Sequence, residues 1–155
     1  MGGITLRHIL VVCTGNICRS PAAAGLLAAQ LEGNVASAGI HALSGHRADA
    51  RAMRLAERRG VSLYGHQARQ LTRQMCRHSD LILAMERGHI GYIANMAPEA
   101  LGKTLLLGHW LDSPEIADPW QESDARFEQI FSHIERAVGR WVSVLNASYQ
   151  HQGQR

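Results

Sequence analysis

Short, unbroken apolar runs alternate along this chain with longer stretches in which apolar residues recur every three or four positions. Ile9-Leu10-Val11-Val12 and Leu81-Ile82-Leu83-Ala84 are continuous and rich in branched side chains, the pattern of strands buried on both faces. This reading predicts strands over residues 7–13, 34–39, 80–85 and 104–107. Ser20-Pro21 reads as a helix start, a hydroxyl cap followed by proline, with the helix running to Leu31 and stopped by Gly33. Further helices are expected over 48–59, ended by Gly60, over 72–77, and over 86–96, halted before Pro98. Phe127, Ile130, Phe131, Ile134, Val138, Trp141 and Leu145 then keep helical spacing, so one long amphipathic helix closes the chain.

Strand and helix in alternation specify an α/β fold, a parallel sheet of about four strands flanked by helices. The expected organisation is a single domain over residues 1–149, followed by a polar tail over 150–155. In such sheets ligands lie beyond the carboxyl ends of the strands. Two places qualify: the turn after the first strand, and the irregular loop after the fourth, which carries Pro114 and Pro119.

Composition narrows the class. A chain of 155 residues with 46% hydrophobic and 19% charged residues can bury its own core without a disulfide or structural metal, and is neither disordered nor fibrous. No apolar run approaches the roughly 20 residues of a bilayer span. Residues 1–6 carry neither a signal-peptide core nor the hydroxyl that myristoylation needs at position 6, so a cytoplasmic protein is expected. The formal net charge of +3 does not imply nucleic acid: Lys103 is the only lysine, the arginines are scattered among acids, and stacking aromatics are few. It suits a partner bearing phosphate or carboxylate. Cys13, Cys18 and Cys76 are odd in number, as in a reducing compartment. The nine histidines form no metal-ligand spacing, so neither metal nor cofactor is expected.

The chemistry concentrates between the first strand and first helix, in Cys13-Thr14-Gly15-Asn16-Ile17-Cys18-Arg19-Ser20. Successive N–H groups at such a junction curl around an anion, aided by the helix's partial positive charge. Gly15 and Asn16 tolerate the positive φ that a curl requires. Arg19 supplies a planar fork for two phosphoryl oxygens. Cys13, at the mouth, sits in a field that favours its thiolate, a nucleophile aimed at a cradled phosphate. Asp118-Pro119 lies on the second ligand edge.

Residues 11–21, Val-Val-Cys-Thr-Gly-Asn-Ile-Cys-Arg-Ser-Pro, resemble the signature loop of the low-molecular-weight protein tyrosine phosphatases. The likeness spans nearly the whole chain, since Ser37-Ala38-Gly39, Gly65-His66-Gln67-Ala68-Arg69-Gln70, the 80–85 strand and Asp118-Pro119 follow in the family's order. It implies the flavodoxin-like fold of the phosphotyrosine protein phosphatase I type. Met96-Ala97-Pro98-Glu99 and Gly108-His109-Trp110 resemble the bacterial branch encoded with capsule and exopolysaccharide genes, whose partner is a membrane tyrosine autokinase of polysaccharide export. The resemblance assigns Cys13 as nucleophile, Arg19 as phosphate and transition-state ligand, and Asp118 as general acid. It assigns Ser20 to support of the thiolate, and Asn16 with His66 to the shape of the loop.

The family often carries tyrosines after Asp-Pro, where this chain has Trp120-Gln121; Trp120 can still form one cleft wall, but tyrosine-based regulation there is lost. Ile40 and Leu43 are candidates for the opposite wall or for ordinary loop packing. Cys18 matches a second loop cysteine that can pair reversibly with Cys13, or it is simply a packed thiol. Two rivals share the anion loop. Thioredoxin-coupled arsenate reduction relays oxidation through two further cysteines, and only Cys76 lies beyond the loop. A phosphotyrosine-binding module without turnover would lack Cys13 or Asp118, and both are present. Gly102-Lys103-Thr104 is no P-loop, because position 97 is Ala and the segment precedes a strand. Asn146-Ala147-Ser148 is a formal glycosylation sequon without meaning in a cytoplasmic chain.

Overall fold

The computed structural model describes the backbone of residues 6–153 and the side chains of residues 6–147. Residues 1–5, on which the targeting expectation rests, lie outside the described residues, as do positions 154 and 155 of the tail. Four parallel strands, β1 (His8–Cys13), β2 (Asn34–Gly39), β3 (Leu81–Ala84) and β4 (Thr104–Leu106), form one sheet in the order β2-β1-β3-β4. The helices are α1 (Arg19–Ala28), α2 (Ala50–Glu57), α3 (Arg73–His78), α4 (Arg87–Met96) and α5 (Asp124–Gly153), with a 3-10 turn at Pro98–Lys103. The α/β architecture with a four-stranded parallel sheet is the one the apolar pattern predicts.

Alternation along the strands sorts two cores. Ile9, Val11, Cys13, Leu83 and Met85 face a cluster with Leu27, Phe127, Phe131, Ile134 and Trp141, contributed by α1 and α5. Leu10, Val12, Ala38 and Ile82 face the opposite side, against Cys76, Ile93, Ala97 and Ala100. Both faces of β1 are therefore dry, which is why its sequence shows no polar alternation. Each large side chain buried this way contributes roughly 1.5–3 kcal/mol. Because β2 and β3 flank β1 on opposite sides, a crevice opens beyond the carboxyl end of β1.

Several element ends differ from expectation by a few residues, α1 for instance ending at Ala28 where Leu31 was expected, and three differences bear on the site or the tail. Helix α1 starts at Arg19 with Cys18 at its N-cap and no side-chain cap, so Ser20 lies inside the helix with its hydroxyl engaged elsewhere. Helix α2 starts at Ala50, because the Asp49 carboxylate accepts from the Arg51 N–H and fixes the first turn there. Helix α5 continues through Gln150 to Gly153, into the stretch read as a polar tail. Among the described residues no helix is long and apolar enough to cross a membrane.

Candidate active site

The loop after β1 is shaped from beneath by a fully buried asparagine. Asn16 takes φ 59°, and its side chain uses both ends of its amide. Nδ2 donates to Ser20 Oγ at 2.8 Å and Ser37 Oγ at 2.9 Å, while Oδ1 accepts from the Arg69 N–H at 2.9 Å. His66 Nε2–H donates to the Asn16 carbonyl at 2.7 Å. The positive φ expected of Gly15 or Asn16 falls on Asn16 alone, because only a side chain can tie the turn to β2 and to residue 69. Gly39, at the end of β2, allows the close approach: a Cβ there would collide with the Thr14 carbonyl oxygen and lie 3.0 Å from Asn16 Cβ.

Ser20 accepts from Asn16, which leaves its own proton for Cys13 Sγ, 2.8 Å away. That is why a helix-start serine does not cap its helix: the first N–H groups of α1 stay unclaimed by any side-chain cap and point toward the loop. Cys13 is 2% exposed at the base of a cleft of about 240 Å³ lined by the loop and by His41, Leu43, Asp118 and Trp120.

Arg19, also 2% exposed, is fixed from behind. Its Nη1 donates to Glu86 Oε2 and to the Ile116 carbonyl, both at 2.8 Å. Its Nη2 lies 3.7 Å from Asp118 Oδ2. Ile116 is fully buried, and its N–H donates to the Met85 carbonyl at 2.9 Å, so the segment bearing Asp118 is pegged to the end of β3. Asp118 is half exposed, with Oδ1 accepting from the Trp120 N–H at 3.0 Å. A cradle of N–H groups, a locked guanidinium, a sulfur at the base and a carboxyl at the rim together can hold a tetrahedral oxyanion and act on a group attached to it.

The remaining expected residues divide. Leu43 lines the cleft, held by its N–H to the Gly15 carbonyl at 3.1 Å, and Trp120 faces it from the Asp118 side; both are largely exposed. Ile40 does not reach the cleft. Its N–H continues the parallel ladder to the Cys13 carbonyl, so its side chain falls on the Ala38 face and packs on the second core. His41, unread in the sequence, takes the place. Cys18 lines the cleft as a free thiol, its pKa pushed up by burial and then by the Asp49 carboxylate, so it stays protonated. Glu86, Ser37, Arg69 and His89 also escaped the sequence reading; for Ser37 and Arg69 the signal was present in the two segments recognised as family-like.

Residues 8–151 match the family model described as low molecular weight phosphotyrosine protein phosphatase. The chain is 49% identical over 147 residues to the low molecular weight protein-tyrosine-phosphatase Etp of Escherichia coli K12, covering 94% of this chain and 99% of that one. It is 49% identical over 142 residues to the probable low molecular weight protein-tyrosine-phosphatase AmsI of Erwinia amylovora, covering 91% and 99%. Among solved structures, the tyrosine phosphatase Wzb of Escherichia coli K30 in complex with sulphate superposes with a TM-score of 0.88 at 46% identity, over 91% of this chain and 99% of that one.

Proposed function

The chain belongs to the low molecular weight phosphotyrosine protein phosphatase family, and from that premise we propose that it hydrolyses phosphotyrosine in proteins through a phosphocysteine intermediate. The observation that carries the reading is the Ser20–Cys13 contact at the base of the loop, beside the locked Arg19. A hydroxyl that has already accepted from Asn16 donates to sulfur, which stabilises the thiolate and leaves it in line with an oxyanion held by the loop. The relative that holds sulphate supports an oxyanion ligand.

In the first step the Cys13 sulfur forms a bond to phosphorus as the bond to the tyrosyl oxygen breaks, and Asp118 gives its proton to that oxygen. In the second, water attacks phosphorus, Asp118 takes a proton from it, and the S–P bond breaks to release inorganic phosphate and the Cys13 thiolate. Arg19 and the loop N–H groups hold the equatorial oxygens through both steps. Trp120 and Leu43 flank the ring. No step calls for a metal or cofactor, so EDTA should leave the rate unchanged.

The segments of the capsule-associated branch support a finer reading: a single cytoplasmic domain over residues 1–149 whose substrate is a membrane tyrosine autokinase of polysaccharide export. The test is phosphate release from a phosphotyrosine peptide in fresh reductant, wild type beside Cys13→Ser. Turnover by the wild type alone is expected. A folded wild type that releases nothing would sink the proposal, and arsenate would be the next substrate tried.

A further inference from the structure

His89 is 3% exposed, lies 76 residues from Cys13 in sequence, and has no part in the two steps above. Its ring nitrogens are both engaged. The Glu86 N–H donates to Nδ1 at 3.1 Å, so Nδ1 is unprotonated, and Nε2 lies 2.9 Å from Thr14 Oγ1. Burial, with the Arg19 charge adding to it, pushes the imidazole pKa down to about 4, so near neutrality it carries one proton, and that proton is on Nε2. The Glu86 carboxylate, 3.6 Å from Nε2, is committed to Arg19.

The Nε2–H therefore donates to Thr14 Oγ1, which also accepts a long contact of 3.4 Å from Arg19 Nη2. A threonine hydroxyl has two acceptor sites and one proton. With both acceptor sites turned inward, the proton is what remains, and no described residue accepts it. Thr14 lines the cleft beside Cys13.

We propose that the Thr14 hydroxyl donates to a phosphoryl oxygen of the bound substrate, and that His89 is the positioning residue that turns this hydroxyl's proton into the cleft. The proposal rests on the phosphatase reading and adds a side-chain donor to a cradle otherwise made of backbone N–H groups and Arg19. Thr14→Val keeps the shape and removes the proton; Thr14→Ser keeps the proton.

The first measurement is inorganic phosphate affinity of the full chain by calorimetry, which needs no turnover. Thr14→Val is expected to bind about tenfold more weakly, the effect of one hydrogen bond to a charged acceptor, and Thr14→Ser within about threefold of wild type. The second is kcat/KM in a double-mutant cycle: His89→Phe should cost about fivefold beside Thr14 and almost nothing beside Val, because it acts through a proton no longer there. His89→Gln, whose amide can donate to Thr14, should recover most of the loss. Phosphate binding by Thr14→Val equal to wild type overturns the proposal, and this variant decides the matter even if His89→Phe does not fold. An equal cost of His89→Phe in both backgrounds overturns the positioning role. A wild type that binds phosphate but does not turn over phosphotyrosine would instead overturn the phosphatase reading, with the Thr14→Val affinity still deciding the donor.

Discussion

Gly39→Ala separates the anion loop's geometry from the stability of the fold. The added Cβ would collide with the Thr14 carbonyl oxygen and sit 3.0 Å from Asn16 Cβ and 3.1 Å from the Asn16 nitrogen. None of these atoms can rotate away: two are backbone, and the third belongs to a side chain tied at both ends of its amide. Relief requires moving the loop off the end of β2 by several tenths of an ångström. Overpacking of this kind costs about 1–3 kcal/mol of stability. A domain with about 5–15 kcal/mol to lose remains almost wholly folded, so destabilisation alone would leave the rate intact. Displacement of Cys13 and the loop donors from the line of attack is another matter, and kcat/KM should fall about 100-fold. Gly139→Ala is the control. It lies in α5, where a Cβ meets nothing within 4 Å, and should gain about 0.5–1 kcal/mol with unchanged kinetics. The assay pairs urea unfolding with kcat/KM on an aryl phosphate. A Gly39→Ala enzyme of wild-type kcat/KM would refute the claim that the close approach of β2 sets the loop's geometry.

Asp118→Ala should slow turnover by about 10²–10⁴-fold for aryl phosphates with poor leaving groups and far less for activated ones; equal losses across a leaving-group series would remove Asp118 from the acid role. His89 links stability to pH. Its folded pKa, about 4, is depressed below the ordinary value of 6.5, so the unfolded chain binds the extra proton first as pH falls. This group's contribution is present above pH 6.5 and is lost progressively down to pH 4; the urea midpoint should drop between pH 7 and pH 5, and His89→Gln should flatten the drop. An identical pH dependence in that variant would show that other groups carry it.

Much of this molecule is legible in its sequence because single-residue chemistry carries the signal. The dry runs at 9–12 and 81–84 announced a parallel sheet, and a cysteine and an arginine six positions apart across a strand-to-helix turn marked the loop where the candidate site lies. What stayed hidden depends on partners supplied by distant segments. Glu86 reaches Arg19 only because β3 pairs with β1 in the register that sets Ala84 beside Val12. Ser20 reads as a cap by local rules and is drawn off by Asn16 and Cys13. Ile40 reads equally as cleft wall or as packing, and only the ladder continuing past β2 decides for the inner face. Gly15 seemed as fit as Asn16 for the positive φ, yet only the amide could also hold Ser37 and residue 69.

The Ile116 peg has a kinetic corollary. With its side chain fully buried, its N–H on Met85 and its carbonyl on Arg19, Ile116 leaves only Ala117 between anchored backbone and Asp118. A tether of one residue gives no lever arm for a swinging lid, and Asp118, the proposed acid, stands over the cleft before substrate arrives. Turnover then has no closure to wait for, and departing phosphate has no gate to open. Bond-making steps, not drag, should then limit the rate, and kcat should stay flat as sucrose thickens the medium.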